Sequence, residues 1–489
     1  MTKKNYNQVS MPYVDLLKSY VKERFIPFHT PGHKIGHGAP KDLQDWMSEA
    51  LPCDLGVMYA LDDLHEPEGA FKEAQELAAD LYGAKAAWYS INGTTALIMT
   101  MIMATVGEEE SLIIPREAHK SVMSGLVMSG AKPIYLPSRF DEEWGIQLGA
   151  SLEDLVSTLD AHPAAKAVLL VYPNYYGLGI DIEAMVAECH KRGLIVLVDE
   201  AHGPHLPFDD RLPVEALEAG ADLVAQSTHK SLGSLTQTST LLGQGDRIDY
   251  RRVTQVHQML QSTSPNYIFM ASLDMARQQM ATEGANLVGK AVDLACQLRT
   301  GIQAIPGLKT MDGSRLAKNF DPTKVLIDAR DLGLDAVAFE RRLRDHKIEV
   351  ELIQACHVLV TITIGDSEAS IQALLTALKE ISQECLEEGR YSSPIPSLDQ
   401  VNLALPEPTL IKTPRQAFYV SRETIHLAEA CGRICGETIS YYPPGIPLIS
   451  IGEEITPAVI QYMKDKQALG YVPNGAADMS LETIVVLKD

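Results

Sequence analysis

Between about residues 85 and 245, short aliphatic and β-branched runs alternate with helical patterns. No other feature constrains the fold as strongly. "AAWYS", "SLIIP", "KPIYL", "AVLLVYP", "LIVLVDE" and "DLVAQS" read as strands. "TTALIMTMIMATV", "EAHKSVMSGLVMSG", "DIEAMVAECHKRG" and "VEALEAG" read as the helices between them. The strand runs are almost continuously apolar rather than alternating, the pattern of strands covered on both faces. The expected fold class is therefore α/β, with a mostly parallel sheet and helices on both sides. Ligands on such sheets bind beyond the carboxyl ends of the strands. The residues that end each strand are thus the first candidates for chemistry.

Those strand ends are polar. "WYS" runs into "INGTTA", where Gly93 turns the chain and Thr94 and Thr95 open a helix. Free backbone N–H groups and the helix dipole make such a point an anion site; taken alone, "NGTT" reads as an ordinary N-cap. "LIVLVDEAHG" ends on Asp199, followed by Glu200, Ala201 and His202. Taken alone, that acid caps a loop. "DLVAQSTHK" ends on Ser227, His229 and Lys230. Lysine is almost never buried without a partner, so Lys230 either reaches water or serves chemistry.

Together these residues place an anion cradle, a carboxylate, imidazoles and a lysine along one edge of one sheet. That set meets the needs of pyridoxal phosphate. The cofactor requires a lysine for its aldehyde, donors for its phosphate, and a carboxylate to keep its ring nitrogen protonated. Asp199 and Lys230 are separated by one helix-plus-strand crossover, which puts their side chains on adjacent strands.

"FHTPGHK", "LDDLHEPEG", "NGTTA", "PREAHKS", "VDEAHG" and "STHKSLGSLTQTS" occur in this order. They resemble the motifs of the bacterial ornithine/lysine/arginine decarboxylases, pyridoxal-phosphate enzymes of aspartate-aminotransferase-like fold (fold type I). "AFYVSRETIHLAEACGRICGETISYYPPGIPLISIGEEI" resembles that family's C-terminal domain. The likeness runs from about residue 12 to the end, and the length resembles the family's shorter branch, which includes the Bacillus-type arginine decarboxylase. The resemblance implies roles by position. Lys230 bonds to the cofactor aldehyde, Asp199 binds the pyridinium nitrogen, and His119 stacks on the ring. Thr94, Thr95, Ser227 and His229 hold the phosphate, and His202 touches the ring or its oxygen. It also implies a homodimer or higher homo-oligomer with shared active sites, "LDDLHEPEG" resembling a loop lent to the partner. The implied reaction is decarboxylation of a basic amino acid in polyamine biosynthesis. Arginine, giving agmatine, is the first choice; lysine and ornithine are the alternatives.

The net charge of −22 repels nucleic acid and anionic membrane and favours cationic substrates. The longest apolar run, "ALIMTMIMATV", is far short of the ~20 residues that span a bilayer. No secretory signal is legible at the N-terminus. Seven scattered cysteines suit reduced thiols in the cytoplasm. "HTPGHKIGH" spaces His29, His33 and His37 as a helical zinc site would, but Pro31 and the glycines forbid the helix, and no metal is expected. The acid for a substrate's distal cation is sought in "GEE" (Gly452 to Glu454) or the "DDLHEPE" loop. Expected domains are an N-terminal arm (1–60), a large cofactor-binding domain (61–300), a small α+β domain (301–390) and a C-terminal domain (400–489). "EEGRYSSPIPSLDQ" reads as the linker before the last of these. An aminotransferase or aldolase of the same cofactor class is a rival, with Arg415 or Arg433 gripping the substrate carboxylate. A regulatory pseudoenzyme is another, although it would be expected to have lost Lys230 or Asp199.

Overall fold

The computed structural model describes residues 6–354, 357–389, 405–406, 408–441, 446–468 and 470–488. Residues 442–445 of "YYPPGIPL" and 390–400 of the linker stretch lie outside the described residues. The chain divides into two compact units. One comprises residues 1–104, 195–210 and 214–289; the other comprises 105–194, 211–213 and 290–489. The strands that matter here are β1 (Ala86–Ser90), β2 (Ser111–Pro115), β3 (Lys132–Leu136), β4 (Ala167–Val171), β5 (Ile195–Asp199), β6 (Leu223–Gln226) and β7 (Ser239–Gly243). The helices are α1 (Pro12–Lys22), α2 (Ala70–Leu81), α3 (Gly93–Thr105) and α4 (Lys120–Ser129).

The first unit is built on β1, β7, β6 and β5, in that order. β5 and β6 are parallel, Asp199 facing Ala225. β7 is antiparallel to β6, Thr240 facing Gln226. It is also antiparallel to β1, Ser239 facing Ser90. Every residue of β5, β6 and β7 is buried, which accounts for the apolar interiors of β5 and β6, while the polar residues Asp199, Gln226, Ser239 and Thr240 fall at the strand ends. Because β7 runs backwards, its first residue lies level with the last residues of β1 and β6. Ser90, Asp199, Gln226 and Ser239 thus share one sheet edge. In the second unit β2 pairs in parallel with β3 and with β4. Three parallel pairings against two antiparallel ones make the sheet strands mostly parallel, as the sequence rhythm requires.

Further along the chain, Lys309–Thr310, Lys324–Asp328, His357–Thr361 and Leu352–Gln354 form an antiparallel sheet in that order. The helices Ala336–Asp345 and Glu368–Glu387 contribute Phe339, Leu343, Leu375 and Leu378 to its core. The last segment pairs Arg422–His426 with Thr483–Leu487 and packs the helix Pro457–Ala468 against Ile439–Tyr441 and Ile446–Ile449.

Three sequence expectations need correction. "VEALEAG" is a turn, not a helix. Pro213 precedes it, and the segment closes only isolated turn bonds, from Ala219 N to the Glu215 carbonyl and from Gly220 N to the Leu217 carbonyl, while Ala216 N donates to Glu200 at 2.8 Å. The helix in "EAHKSVMSGLVMSG" starts only at Lys120, because His119 is its N-cap. The strand β7 was not foreseen; "STLLG" follows the Ser- and Thr-rich break after Lys230 and has no crossover helix before it to mark it.

Candidate active site

The first unit gathers most of the candidate residues. Gly93 adopts φ +72°, a conformation that favours glycine, and its N–H donates to the carbonyl of Gln237 at 2.8 Å. That turn starts α3, so the N–H groups of its first turn have no acceptor within the helix. Thr94, 7 % exposed, lies against β6 and β7: its Oγ1 is 2.5 Å from Ser227 Oγ and 2.8 Å from Ser239 Oγ. Three hydroxyls therefore meet beside a helix N-terminus, which is a cradle for a phosphate. Thr95 is exposed one residue further into the helix. Ser239 had drawn no attention in the sequence, because without β7 nothing placed it at this edge.

His229 and Lys230 stand on the single helical turn Thr228–Ser231, which follows β6. His229 Nδ1 lies 2.7 Å from the carbonyl oxygen of Thr238, so Nδ1 carries the proton and donates. Burial lowers the His229 pKa, and the nearby Lys230 charge lowers it further. Lys230 reaches the solvent, with its Nζ 2.9 Å from His202 Nε2. His202 accepts there, and its ring proton is on Nδ1. Asp199 ends β5 and is 5 % exposed; its Oδ1 accepts the N–H of Ala201 at 3.1 Å. That bond fixes the carboxylate without neutralising it.

Glu200, fully buried, anchors this loop. Its two oxygens accept from Ala216 N at 2.8 Å and from Gln226 Nε2 at 2.7 Å. Gly203 is needed beside it, since a Cβ there would stand 2.5 Å from Glu200 Cγ. Burial pushes the Glu200 carboxyl above its ordinary range, and it does the same to Glu215, next to Ala216. Of the pair "DE", Asp199 faces the candidate site and Glu200 ties the loop to Ala216 and Gln226.

His119 belongs to the second unit. It caps α4 through Nδ1, which takes the N–H of Ser121 at 3.3 Å and lies 2.8 Å from Ser121 Oγ. The acids proposed for a distal cation are partly engaged elsewhere. Glu453 is fully buried, paired with both terminal nitrogens of Arg116 at 2.5 and 2.9 Å. Asp62 caps α2 by accepting from Glu68, Gly69, Phe71 and Lys72. The arginines that would support an aminotransferase are engaged too. Arg415 donates to the carbonyls of Val127 and Met128, and Arg433 to Glu423 and to the carbonyl of Leu487. "HTPGHKIGH" is a run of turns, with His33 Nε2 3.1 Å from Asp54. Among the described residues, no helix is long and apolar enough to cross a membrane.

A lysine, a fixed strand-end carboxylate and a hydroxyl cradle at a helix N-terminus fit the donor set of pyridoxal phosphate. Fold and site together define an α/β enzyme class with a lysine-tethered, phosphorylated cofactor. More narrowly, the chain belongs to the Orn/Lys/Arg decarboxylase family. Residues 11–318 match that family's major domain and residues 400–471 its C-terminal domain. The chain is 41% identical to the arginine decarboxylase of Bacillus subtilis over 490 residues, covering 99% of each chain. It is 39% identical to the arginine decarboxylase of Halalkalibacterium halodurans, covering 99% of this chain and 98% of that one. Among solved structures, the constitutive lysine decarboxylase of E. coli shares the fold with a TM-score of 0.84 at 22% identity, covering 98% of this chain and 82% of that one.

Proposed function

We propose that the protein decarboxylates L-arginine to agmatine and carbon dioxide with pyridoxal phosphate as cofactor. The observation that carries the chemistry is the meeting of Asp199, Lys230 and the Thr94 hydroxyl cluster at one strand edge. The choice of arginine rests on the names of the relatives about 40 % identical over the full chain. When bound, the cofactor supplies an electron sink for the pair released as the Cα–carboxylate bond breaks.

The protein's own residues have separable tasks. Lys230 would hold the cofactor through its aldehyde. Asp199 keeps a proton on the ring nitrogen, and its burial strengthens that interaction. Thr94, Thr95 and Ser227 donate to the phosphate. His229 can join them only through Nε2, because its Nδ1 proton is already given to Thr238. It must therefore become an imidazolium as the dianion arrives. His119 stacks on the ring and excludes water, and His202 contacts the ring or its oxygen. Lys230 or an adjacent histidine returns a proton to Cα; His202, 2.9 Å from Lys230 Nζ, is the histidine in reach.

The functional unit is a dimer or a higher homo-oligomer. Ile26, Phe28, Trp46 and Tyr59, all in the N-terminal arm, are 81, 94, 85 and 108 % exposed. Large apolar side chains left exposed along this arm support a contact surface there. Incubating the enzyme separately with arginine, lysine and ornithine, and identifying the amine released, tests the substrate. Agmatine formed with the highest kcat/KM is expected; a clear preference for lysine or ornithine overturns the choice of arginine.

A further inference from the structure

The C-terminal segment grips the helix that His119 caps, and it does so at both ends. Just before α4, Arg116 donates both terminal nitrogens to the Glu453 carboxylate at 2.5 and 2.9 Å, and also donates to the carbonyl of Leu448 at 3.0 Å. Its guanidinium lies over the Tyr135 ring, 4.6 Å from the centroid. Glu453 is fully buried and accepts a further bond from Ser450 N at 2.7 Å. A bidentate pair of this kind fixes orientation as well as distance. At the far end of α4, the last-turn carbonyls of Val127 and Met128 accept from Arg415 Nε at 3.0 Å and Nη2 at 2.5 Å. Those carbonyls have no partner within the helix. Between the two ends, Met123 packs against Ala417, Ile451 and Leu487.

The grip neutralises a buried carboxylate of the C-terminal segment, whose main core lies elsewhere, around Ile439, Leu448, Val459 and Ile484. It also immobilises a ten-residue helix whose N-cap is a histidine, with that ring pinned by Ser121. We propose that Arg116, Glu453 and Arg415 are positioning residues for His119, so that the C-terminal segment acts on the cofactor through α4. The proposal rests on the reading of His119 as the ring-stacking residue. A stacked ring tolerates little lateral error, and a shift of about 1 Å in a positioned group can cost on the order of 100-fold in rate.

The test is a double-mutant cycle in the holoenzyme, with three readouts: kcat, the dissociation constant for pyridoxal phosphate, and the circular dichroism of the bound cofactor. The last reports the asymmetric surroundings of the ring, which a general loss of stability leaves alone in the folded fraction. Glu453→Gln and Arg415→Ala are each expected to weaken cofactor binding and lower kcat by about three- to tenfold, the range of an aromatic stacking contact. Both should also reduce the dichroism. In a His119→Ala background the same changes should cost less than about twofold, since a lost interaction cannot be lost again. Equal effects in both backgrounds would overturn the proposal, as would wild-type readouts for both single variants. Should Glu453→Gln fail to fold, Arg415→Ala at the half-exposed end completes the cycle. Wild-type behaviour of His119→Ala itself would instead remove the stacking reading, and the proposal with it.

Discussion

Replacing Asp199 by alanine tests its proposed role as the ring-nitrogen carboxylate apart from every other part of the site. The residue is 5 % exposed, so water screens its charge poorly, and its Oδ1 accepts from Ala201 N. Two unit charges about 3 Å apart at an effective dielectric of about 20 attract by about 5 to 6 kcal/mol. Part of that attraction already acts before reaction, on the resting ring. If about 4 kcal/mol is realised only as charge flows into the ring, kcat falls by about 10³. The loss should appear in kcat more than in KM, because the interaction is made mainly in the transition state. Cofactor affinity should fall too, so the assay is run at saturating pyridoxal phosphate with loading checked by absorbance. Asp199→Glu keeps the charge but displaces it, and should lie between wild type and Asp199→Ala. A fully loaded Asp199→Ala enzyme keeping more than about a tenth of the wild-type kcat would refute the electron-sink role. Asp199 would then be no more than the acid that ends β5.

Other outcomes follow from the same geometry. Thr94→Val removes the hydroxyl shared with Ser227 and Ser239, and should weaken cofactor binding by about tenfold with little change in kcat at saturation; an unchanged dissociation constant counts against the phosphate cradle. Because burial holds the His229 pKa down and the phosphate must raise it, cofactor binding near neutral pH should take up a proton; a binding enthalpy independent of buffer ionisation heat contradicts this. Burial raises the carboxyl pKa values of Glu200 and Glu215, so the folded state holds more protons than the unfolded one. Their contribution is fully present below the ordinary carboxylate range and is lost as pH rises through the raised values. Glu215→Gln should therefore flatten the fall of Tm on the alkaline side, and a slope equal to wild type would argue against it. Phe28→Asp with Trp46→Asp should yield monomers by light scattering, whereas an unchanged mass would show that the arm is not the contact surface.

Much of the cofactor edge is legible in the chain because parallel strands buried on both faces announce themselves as unbroken apolar runs. β2, β4, β5 and β6 are legible in this way, and with them the strand ends at Asp199 and Ser227. β7 is not, since an antiparallel strand without a crossover helix has no such marker; Ser239 is lost with it. "VEALEAG" looks helical on local propensity, but seven residues after a proline are too few for propensity alone to sustain a helix. The "GEE" acids looked available for a substrate cation because a sequence cannot show that Arg116, 337 residues earlier, takes Glu453. Long-range pairing of side chains decides which of several similar acids is committed to structure, and periodicity does not record it.

The central claim, that Lys230 carries the cofactor, is tested most directly by borohydride reduction of the loaded enzyme followed by peptide mapping. The expected result is a pyridoxyl group fixed on the peptide containing Lys230, with the yellow absorbance bleached in proportion. A stable label on another lysine, or no covalent label on a protein that holds pyridoxal phosphate and releases carbon dioxide, would contradict it.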